Sequence, residues 1–448
     1  MSDSIPNIIQ PSHQDQGALA KIVKLQFAQA SVQRYAKLGN LFKSFHLKYA
    51  HVSMVHGREI RLNGKDVINF GSANYLGLEQ NPDVIAASVK ALHELGTHSG
   101  CSRVFFSHDN MIQLENEISK MMGAEATLVG HNISQIHAGV IPALYSNKNS
   151  AIFIDRFAHT SMYQASLIAQ GQGAQIIKVD TAHEKEMENI ILNQNAENKI
   201  LMMDGIYSMQ GHAPNLSHWH KFCLKNNILL YIDDAHGVGI YGENGGGVVE
   251  EFNLRWDNIL VTGSLQKAFG TYGGFISGPK YVIDLLRVIS KSYMFSGTLQ
   301  PSAVEGARVA IAISCSDKGK ELRKKLRLNS IKIRKALAEL DFQVPSGDSP
   351  IIPVLIGTDL KTLMSGRKLF DLGIYLNSVL YPAVPQGEGI LRISLTSLHT
   401  DQQIDDLILA FAELKSFLAL LGVPVLSQLY ITKELIKSKL HKGHYKGL

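Results

Sequence analysis

Lys267 and Asp233 are the residues of this chain whose types and surroundings most clearly point to chemistry. Lys267 stands in Thr-Gly-Ser-Leu-Gln-Lys-Ala-Phe-Gly (residues 262–270), directly after the apolar run Ile259-Leu260-Val261. An amine boxed among small residues at a strand end can form a Schiff base with an aldehyde, provided that burial keeps it unprotonated. A lysine on a solvated face is the competing reading, and the Gly/Ser/Ala-rich, apolar setting argues against it. Asp233 closes Ile-Leu-Leu-Tyr-Ile-Asp-Asp-Ala-His (residues 228–236), at the carboxyl end of a buried-type strand. Ligands bind at that edge in open α/β sheets. A carboxylate there can pair with a pyridine nitrogen through a charge-assisted hydrogen bond, keeping the ring an electron sink. Capping of the next element is its structural alternative. Together the two residues suggest pyridoxal phosphate (PLP) and reactions at the α-carbon of an amino acid.

Other residues fall into place around this pair. His236, three positions after Asp233, is in reach of a ring oxygen of such a cofactor. A phosphate needs a helix start with free amides. Gly130-His131-Asn132-Ile133-Ser134 lies between a strand and an apolar helix expected at 136–144, with His131 and Asn132 as first-turn donors. Ser264, Ser296 and Thr298 offer hydroxyls. His159, after the run 151–154, can stack on a pyridine ring or serve as a structural histidine. Arg392, inside a strand pattern, is suited to hold a substrate carboxylate in a bidentate grip. His218 and His220 have no further ligands nearby and read as surface residues, so no metal site is expected. Gly237-Val-Gly239-Ile-Tyr-Gly242 matches a dinucleotide fingerprint, but an acidic pair precedes it and Gly-Glu-Asn-Gly-Gly-Gly follows. That is loop chemistry and opens no helix.

These side chains need a scaffold of alternating strands and helices. Apolar runs at 126–129, 151–154, 175–179, 200–203, 228–232, 259–261 and 274–277 alternate with helical patterns. This alternation predicts a mostly parallel seven-stranded sheet covered on both faces, an α/β fold. Asn63-Gly64 between short alternating runs predicts a hairpin within 60–70. An amphipathic helix is expected over 21–45 and a long helix over 302–340. A smaller α+β domain comes next, with strands at 342–344, 351–356, 374–377 and 391–395 and helices at 360–371 and 401–421. The expected division is an N-terminal segment (1–70), a large domain (71–300), a small domain (301–423) and a basic extension (424–448).

Apolar residues form 45% of the 448 and charged residues 19%, enough for two or more packed cores. The first twenty residues lack apolar periodicity and are expected to be disordered. A net charge of +5 gives no argument for nucleic acid. Three scattered cysteines (Cys101, Cys223, Cys315) suit a reducing, cytoplasmic setting, and no secretory signal is evident. Five lysines and one glutamate from Lys433 onward come after the uncharged stretch 416–432. The bland reading is a packed helix with a solvated tail. The sharper one is peripheral contact with anionic lipid on the inner membrane face, or with an acidic carrier protein.

At these residues the chain resembles the α-oxoamine synthases, PLP-dependent transferases of fold type I that condense an amino acid with an acyl thioester. The matching stretches are Asn69-Phe-Gly-Ser-Ala-Asn-Tyr-Leu-Gly-Leu, Ile154-Asp-Arg-Phe-Ala-His, Asp204-Gly-Ile-Tyr-Ser-Met-Gln-Gly, Asp233-Asp-Ala-His-Gly-Val-Gly, Ser264-Leu-Gln-Lys-Ala-Phe-Gly and Leu391-Arg-Ile-Ser-Leu-Thr-Ser-Leu-His-Thr. They cover residues 50 to 420 in the family's order. The resemblance implies that Lys267 carries the Schiff base, Asp233 pairs with the ring nitrogen, His159 stacks on the ring, His236 lies near its hydroxyl and Arg392 takes the substrate carboxylate. It also implies Ser208 as a cofactor contact, Asn74 as a substrate contact, and a homodimer in which Ser296 and Thr298 serve the partner's phosphate. The implied reaction is a decarboxylative Claisen condensation to an α-amino ketone.

Three departures bear on substrate. Met111 stands where the family usually has histidine, Leu380 where several members carry arginine, and Ala73 where many have a polar or aromatic group. The N-terminal helix and basic tail lean toward members resembling serine palmitoyltransferase or autoinducer synthases, with long acyl chains on coenzyme A or a carrier protein. Members resembling 8-amino-7-oxononanoate synthase, an aminotransferase on the same fold, a non-catalytic partner subunit and the dehydrogenase are the alternatives.

Overall fold

The computed structural model describes residues 17–29, 33 and 50–422. Ala18–Phe27 is helical; the rest of the expected helix over 21–45, apart from a few residues, lies outside the described residues, as do residues 1–16 and the basic extension. The first sheet is a meander of β1 (Val52–His56), β2 (Glu59–Leu62) and β3 (Lys65–Asn69). β2 and β3 pair antiparallel, with Leu62 opposite Lys65. Only Asn63 and Gly64 separate them, both at positive φ (50° and 83°). That two-residue turn needs positive φ twice, which is why Asn-Gly marked it in the sequence.

The large sheet contains β4 (Ala126–Gly130), β5 (Ser150–Asp155), β6 (Gln175–Val179), β7 (Asn198–Asp204), β8 (Leu229–Asp233), β9 (Ile259–Ser264) and β10 (Gly274–Gly278). Their spatial order is β4-β10-β9-β8-β7-β5-β6, and β10 runs antiparallel to both neighbours. These are the seven expected runs. The inner strands were legible because both faces are covered, so their sequences are mainly apolar, whereas the edge strand β6 is partly exposed and carries Gln175 and Lys178. Alternate residues enter two cores: Leu230, Ile232, Val261 and Phe275 on one face, Tyr231, Leu260 and Ile276 on the other. Ile133–Leu144, Thr160–Gln170 and Lys280–Ile289 pack on the second face, contributing Ile136, Val140, Met162, Ala165, Ile283 and Leu286.

Beyond residue 300 the expected long helix is two helices, Pro301–Ser314 and Asp317–Glu339. Arg323 Nη1 donates to the Ser314 carbonyl at 2.7 Å, satisfying an acceptor freed at the break. β11 (Ile351–Gly357), β13 (Asn377–Val379) and β14 (Gly389–Ser394) form a three-stranded antiparallel sheet in the order β11-β14-β13. Two strand expectations need correction. Residues 342–344 form no strand, only a bridge from Gln343 to Leu355. The run 374–377 divides between two sheets, because β12 (Ile374–Tyr375) pairs in parallel with β3 while Asn377 begins β13.

The same region is stitched back onto the site-bearing segment. Ser394 N–H donates to the Phe70 carbonyl and Ser397 N–H to that of Tyr75. The His399 ring stacks on Phe70 at 4.1 Å, almost parallel. Its Nδ1 accepts from Thr396 N–H (3.0 Å), which leaves Nε2–H to donate to the Asn69 carbonyl (3.1 Å). Burial pushes His399 down to about 4, so this neutral tautomer persists at ordinary pH.

Candidate active site

Three parallel strands end side by side, with Asp204 of β7 opposite Asp233 of β8, and Asp233 opposite Thr262 of β9. The chain leaves β9 through a tight turn, closed by Gly270 N–H to the Lys267 carbonyl, so that Lys267 stands above this row. Its Nζ lies 2.8 Å from His236 Nε2, and His236 Nδ1 lies 2.7 Å from the Tyr75 hydroxyl. Loss of water lowers Lys267 to about 8, against the upward pull of Asp233 and Asp204. Burial, reinforced by the Lys267 and Arg392 charges, holds His236 well below the usual imidazole range. A protonated lysine therefore donates to Nε2, and Nδ1–H donates to Tyr75. The arrangement is a reactive amine on a neutral base.

The carboxylates differ in role. Asp233 is buried, with Oδ1 accepting from Ala235 N–H at 3.1 Å. Asp204 accepts from His159 N–H at 2.9 Å; burial and the neighbouring Asp233 charge hold its carboxyl well above the ordinary range. Asp234 takes a structural part, accepting from Val248 N–H at 2.9 Å. A Cβ at Gly237 or Gly247 would lie 2.0 Å from an Asp234 oxygen. The glycine run therefore wraps this carboxyl, and it leads only into the four-residue helix Val248–Glu251.

At the end of β4, Asn132 caps Ile133–Leu144 by accepting from Gln135 N–H at 2.9 Å. The first-turn amides of Ile133 and Ser134 have no partner within the helix, which makes the helix start an anion cup. Gly274 of β10 lies so close that a Cβ there would be 2.3 Å from Ile133 N. His131 Nε2 is 2.8 Å from the Gly297 carbonyl, and His131, Ser296 and Thr298 line one cavity within this chain. The Ser296 hydroxyl donates to the Ser292 carbonyl at 2.6 Å. Ser264 is buried at the end of β9, opposite Gly274, which in turn pairs with Gly130.

His159 precedes Thr160–Gln170 beyond the end of β5, exposed, with Nδ1 2.7 Å from Ser161 Oγ. Arg392 is buried, its Nε donating to the Ser208 carbonyl and its Nη1 to Ser394 Oγ, both at 2.7 Å. No carboxylate pairs with it among the described residues. Ser208 thus contributes a carbonyl that aims the guanidinium. Asn74 is half-buried and lines a different cavity, with Ser72, Tyr375 and the Arg58–Glu79 ion pair under the N-terminal meander.

His220 is not a surface residue: it is buried, with Nε2 3.0 Å from the Arg255 carbonyl. His218 is half-buried, 3.0 Å from Glu188. Met111 and Leu380 are buried and Ala73 is half-buried against the core. Two residues near Lys267 and Asp233 carry no sequence signal of a role. Tyr75 lies in the stretch 69–78 as one apolar residue among several, and His137 looks like a core histidine in an apolar helix.

The group that these residues fit is PLP: a half-buried amine of lowered basicity, a buried carboxylate at the adjacent strand end, and an amide cup on a neighbouring helix. Residues 65–411 match the family model for class I and II aminotransferases. The chain is 31% identical over 393 residues to an 8-amino-7-oxononanoate synthase of Treponema denticola, covering 86% of this chain and 96% of that one. It is 31% identical over 368 residues to a serine palmitoyltransferase of Sphingobacterium spiritivorum, covering 81% and 90%. A serine palmitoyltransferase solved with PLP as its internal aldimine superposes with a TM-score of 0.82 at 26% identity, over 90% of this chain and all of that one. Sequence, fold and site agree that the chain belongs to the class I and II aminotransferase family, and within it to the PLP-dependent α-oxoamine synthases, acyltransferases of fold type I.

Proposed function

We propose that this enzyme joins a small amino acid to a long-chain acyl thioester, in the manner of serine palmitoyltransferase. The α-C–H bond breaks, a carbon–carbon bond forms to the acyl carbonyl, the thiol leaves and carbon dioxide is lost, giving an α-amino ketone. One observation carries the reading: a buried guanidinium, Arg392, with only neutral partners, near the amine of Lys267. A buried cation without a counter-charge is costly, and an amino-acid carboxylate would supply that charge.

Bound PLP supplies an aldehyde that captures amines and a ring that withdraws electrons from the α-carbon. Lys267 is the amine that would hold the aldehyde and, when free and neutral, would accept the α-proton. Asp233 would pair with the pyridine nitrogen, His159 would lie against the ring, and His236, which links Lys267 to Tyr75, would serve the ring hydroxyl. His131, Asn132, Ser264, Ser296 and Thr298 would hold the phosphate, and Ser208 supports Arg392; Asn74, which lines a separate cavity under the meander, stands apart from this arrangement. The enzyme acts as a homodimer in the cytoplasm. Its basic residues 433–448 make peripheral contact with an anionic membrane or an acidic acyl carrier; the lysine excess supports that contact. No helix among the described residues is long and apolar enough to cross a membrane.

A second reading, condensation of another amino acid as in 8-amino-7-oxononanoate synthase, is favoured by the Treponema relative. A matrix of serine, alanine, glycine and 2-aminobutyrate against acyl-coenzyme A and acyl-carrier thioesters separates the two, scored by thiol release and product mass. Serine with a long acyl chain is the expected best pair. Accumulation of pyridoxamine phosphate without thiol release would instead make the enzyme an aminotransferase.

A further inference from the structure

His137 has none of the roles above, yet it links two of the groups that have. It projects from Ile133–Leu144, fully buried, with its ring edge-on to Tyr231. Nε2 lies 3.1 Å from Thr262 Oγ1 and 3.7 Å from Asp233 Oδ2. Nδ1 lies 2.9 Å from Ser161 Oγ, and that oxygen is 2.7 Å from His159 Nδ1. One imidazole thus spans from the carboxylate ending β8 to the histidine beyond the end of β5.

Counting protons gives the chain a direction. Thr262 Oγ1 donates to the Ile232 carbonyl at 3.3 Å, so it can only accept from His137 Nε2–H. Burial outweighs the attraction of Asp233 and pushes His137 down to about 4, leaving a neutral ring with a lone pair on Nδ1. Ser161 must donate its single hydroxyl proton to that lone pair. Its oxygen then accepts from His159 Nδ1–H. The Ser161 amide, 3.3 Å from the same His159 nitrogen, is the longer and weaker competitor.

We propose that His137 is a positioning residue that holds His159 in the Nδ1–H form, while its own Nε2–H is committed to Thr262, the residue paired with Asp233 across the strand ends. Its bearing on catalysis rests on the reading of Asp233 and His159 as cofactor residues; the relay itself does not. The donor order is His159 to Ser161 to His137 to Thr262. His137 touches no solvent and belongs to no metal-binding cluster among the described residues, so its place in the relay accounts for its polar contacts.

The test is nitrogen-15 NMR of histidine rings in the full-length, cofactor-free protein, with PLP titration alongside. Wild type is expected to show His159 protonated at Nδ1. His137→Leu and Ser161→Ala, which cut the chain at different atoms, are expected to move that proton to Nε2. His137→Asn, which keeps an acceptor for the Ser161 hydroxyl, is expected to restore the wild-type tautomer. PLP should bind about fivefold to tenfold more weakly to the two broken variants, the value of one lost hydrogen bond. A His159 tautomer unmoved in Ser161→Ala, which is small enough to fold if His137→Leu does not, overturns the relay. If the tautomer moves but His159→Ala binds PLP as wild type does, the relay stands and the cofactor role of His159 falls.

Discussion

Lys267 is a base whose strength is set by competition between two effects. Burial lowers it to about 8, while Asp233 and Asp204 pull it upward. The amine is therefore mostly neutral above pH 8 and mostly charged below. Capture of PLP by the cofactor-free enzyme, monitored by absorbance, should rise through a midpoint near 8 rather than near the ordinary lysine value. Asp233→Asn removes one upward pull, so the midpoint should fall below 8. The same variant should slow exchange of the substrate α-proton by about a hundredfold or more, read by deuterium incorporation. Lys267→Ala should leave no borohydride-trapped peptide at position 267 and lose condensation. At this scale the sequence was informative where chemistry demands an unusual neighbourhood, as with a lysine among glycines or two acids ending a strand. It was silent on His137 and Tyr75, because a histidine or tyrosine in an apolar stretch looks the same whether it fills the core or orders a neighbour. Only distances separate the cases.

Among elements, the start of Ile133–Leu144 and strand β10 are coupled through Gly274. A methyl group there would press on Ile133 N at 2.3 Å, where only backbone can yield. Gly274→Ala is expected to raise the dissociation constant for PLP more than tenfold while leaving most of the thermal stability, measured by titration and calorimetry. A second element-level device is the stacked pair of Phe70 and His399. His399 titrates near 4 in the fold and near 6.5 in the unfolded chain, so the unfolded state binds more protons between those values. Its contribution is therefore intact above pH 6.5 and lost as pH falls toward 4, by about 3 kcal/mol in the limit. His399→Asn lacks that loss. The stability gap between wild type and variant should narrow from pH 7 to pH 4.5 in denaturant unfolding. The inner strands of the large sheet could be read in advance because burial on both faces leaves a plain apolar signature. The split at 374–377 could not, since it depends on which distant strand each pair of residues meets.

For the whole molecule, the question is which subunit completes each phosphate cup. Ser296 and Thr298 line a cavity with His131 of the same chain. A partner's loop can also reach this rim in the dimer proposed above. Complementation decides between them. If Thr298 serves the partner, mixing Lys267→Ala with Thr298→Val subunits should restore about a quarter to half of the wild-type activity, because one of the two sites regains a full set. Activity no higher than either parent would assign the threonine to its own site.

The union of β3 with β12 carries a consequence for biosynthesis. The meander is made before any strand of the large sheet, but the strand that covers its open edge is made only after all of them. Until then, β3 presents unsatisfied amides and carbonyls of the kind that invite pairing with other chains. The nascent enzyme thus passes through a long interval in which its first-made sheet is exposed, and that interval ends only when Ile374 and Tyr375 arrive. Slow, long-range closure of this sort ties yield to how quickly the segment between the large sheet and Tyr375 emerges.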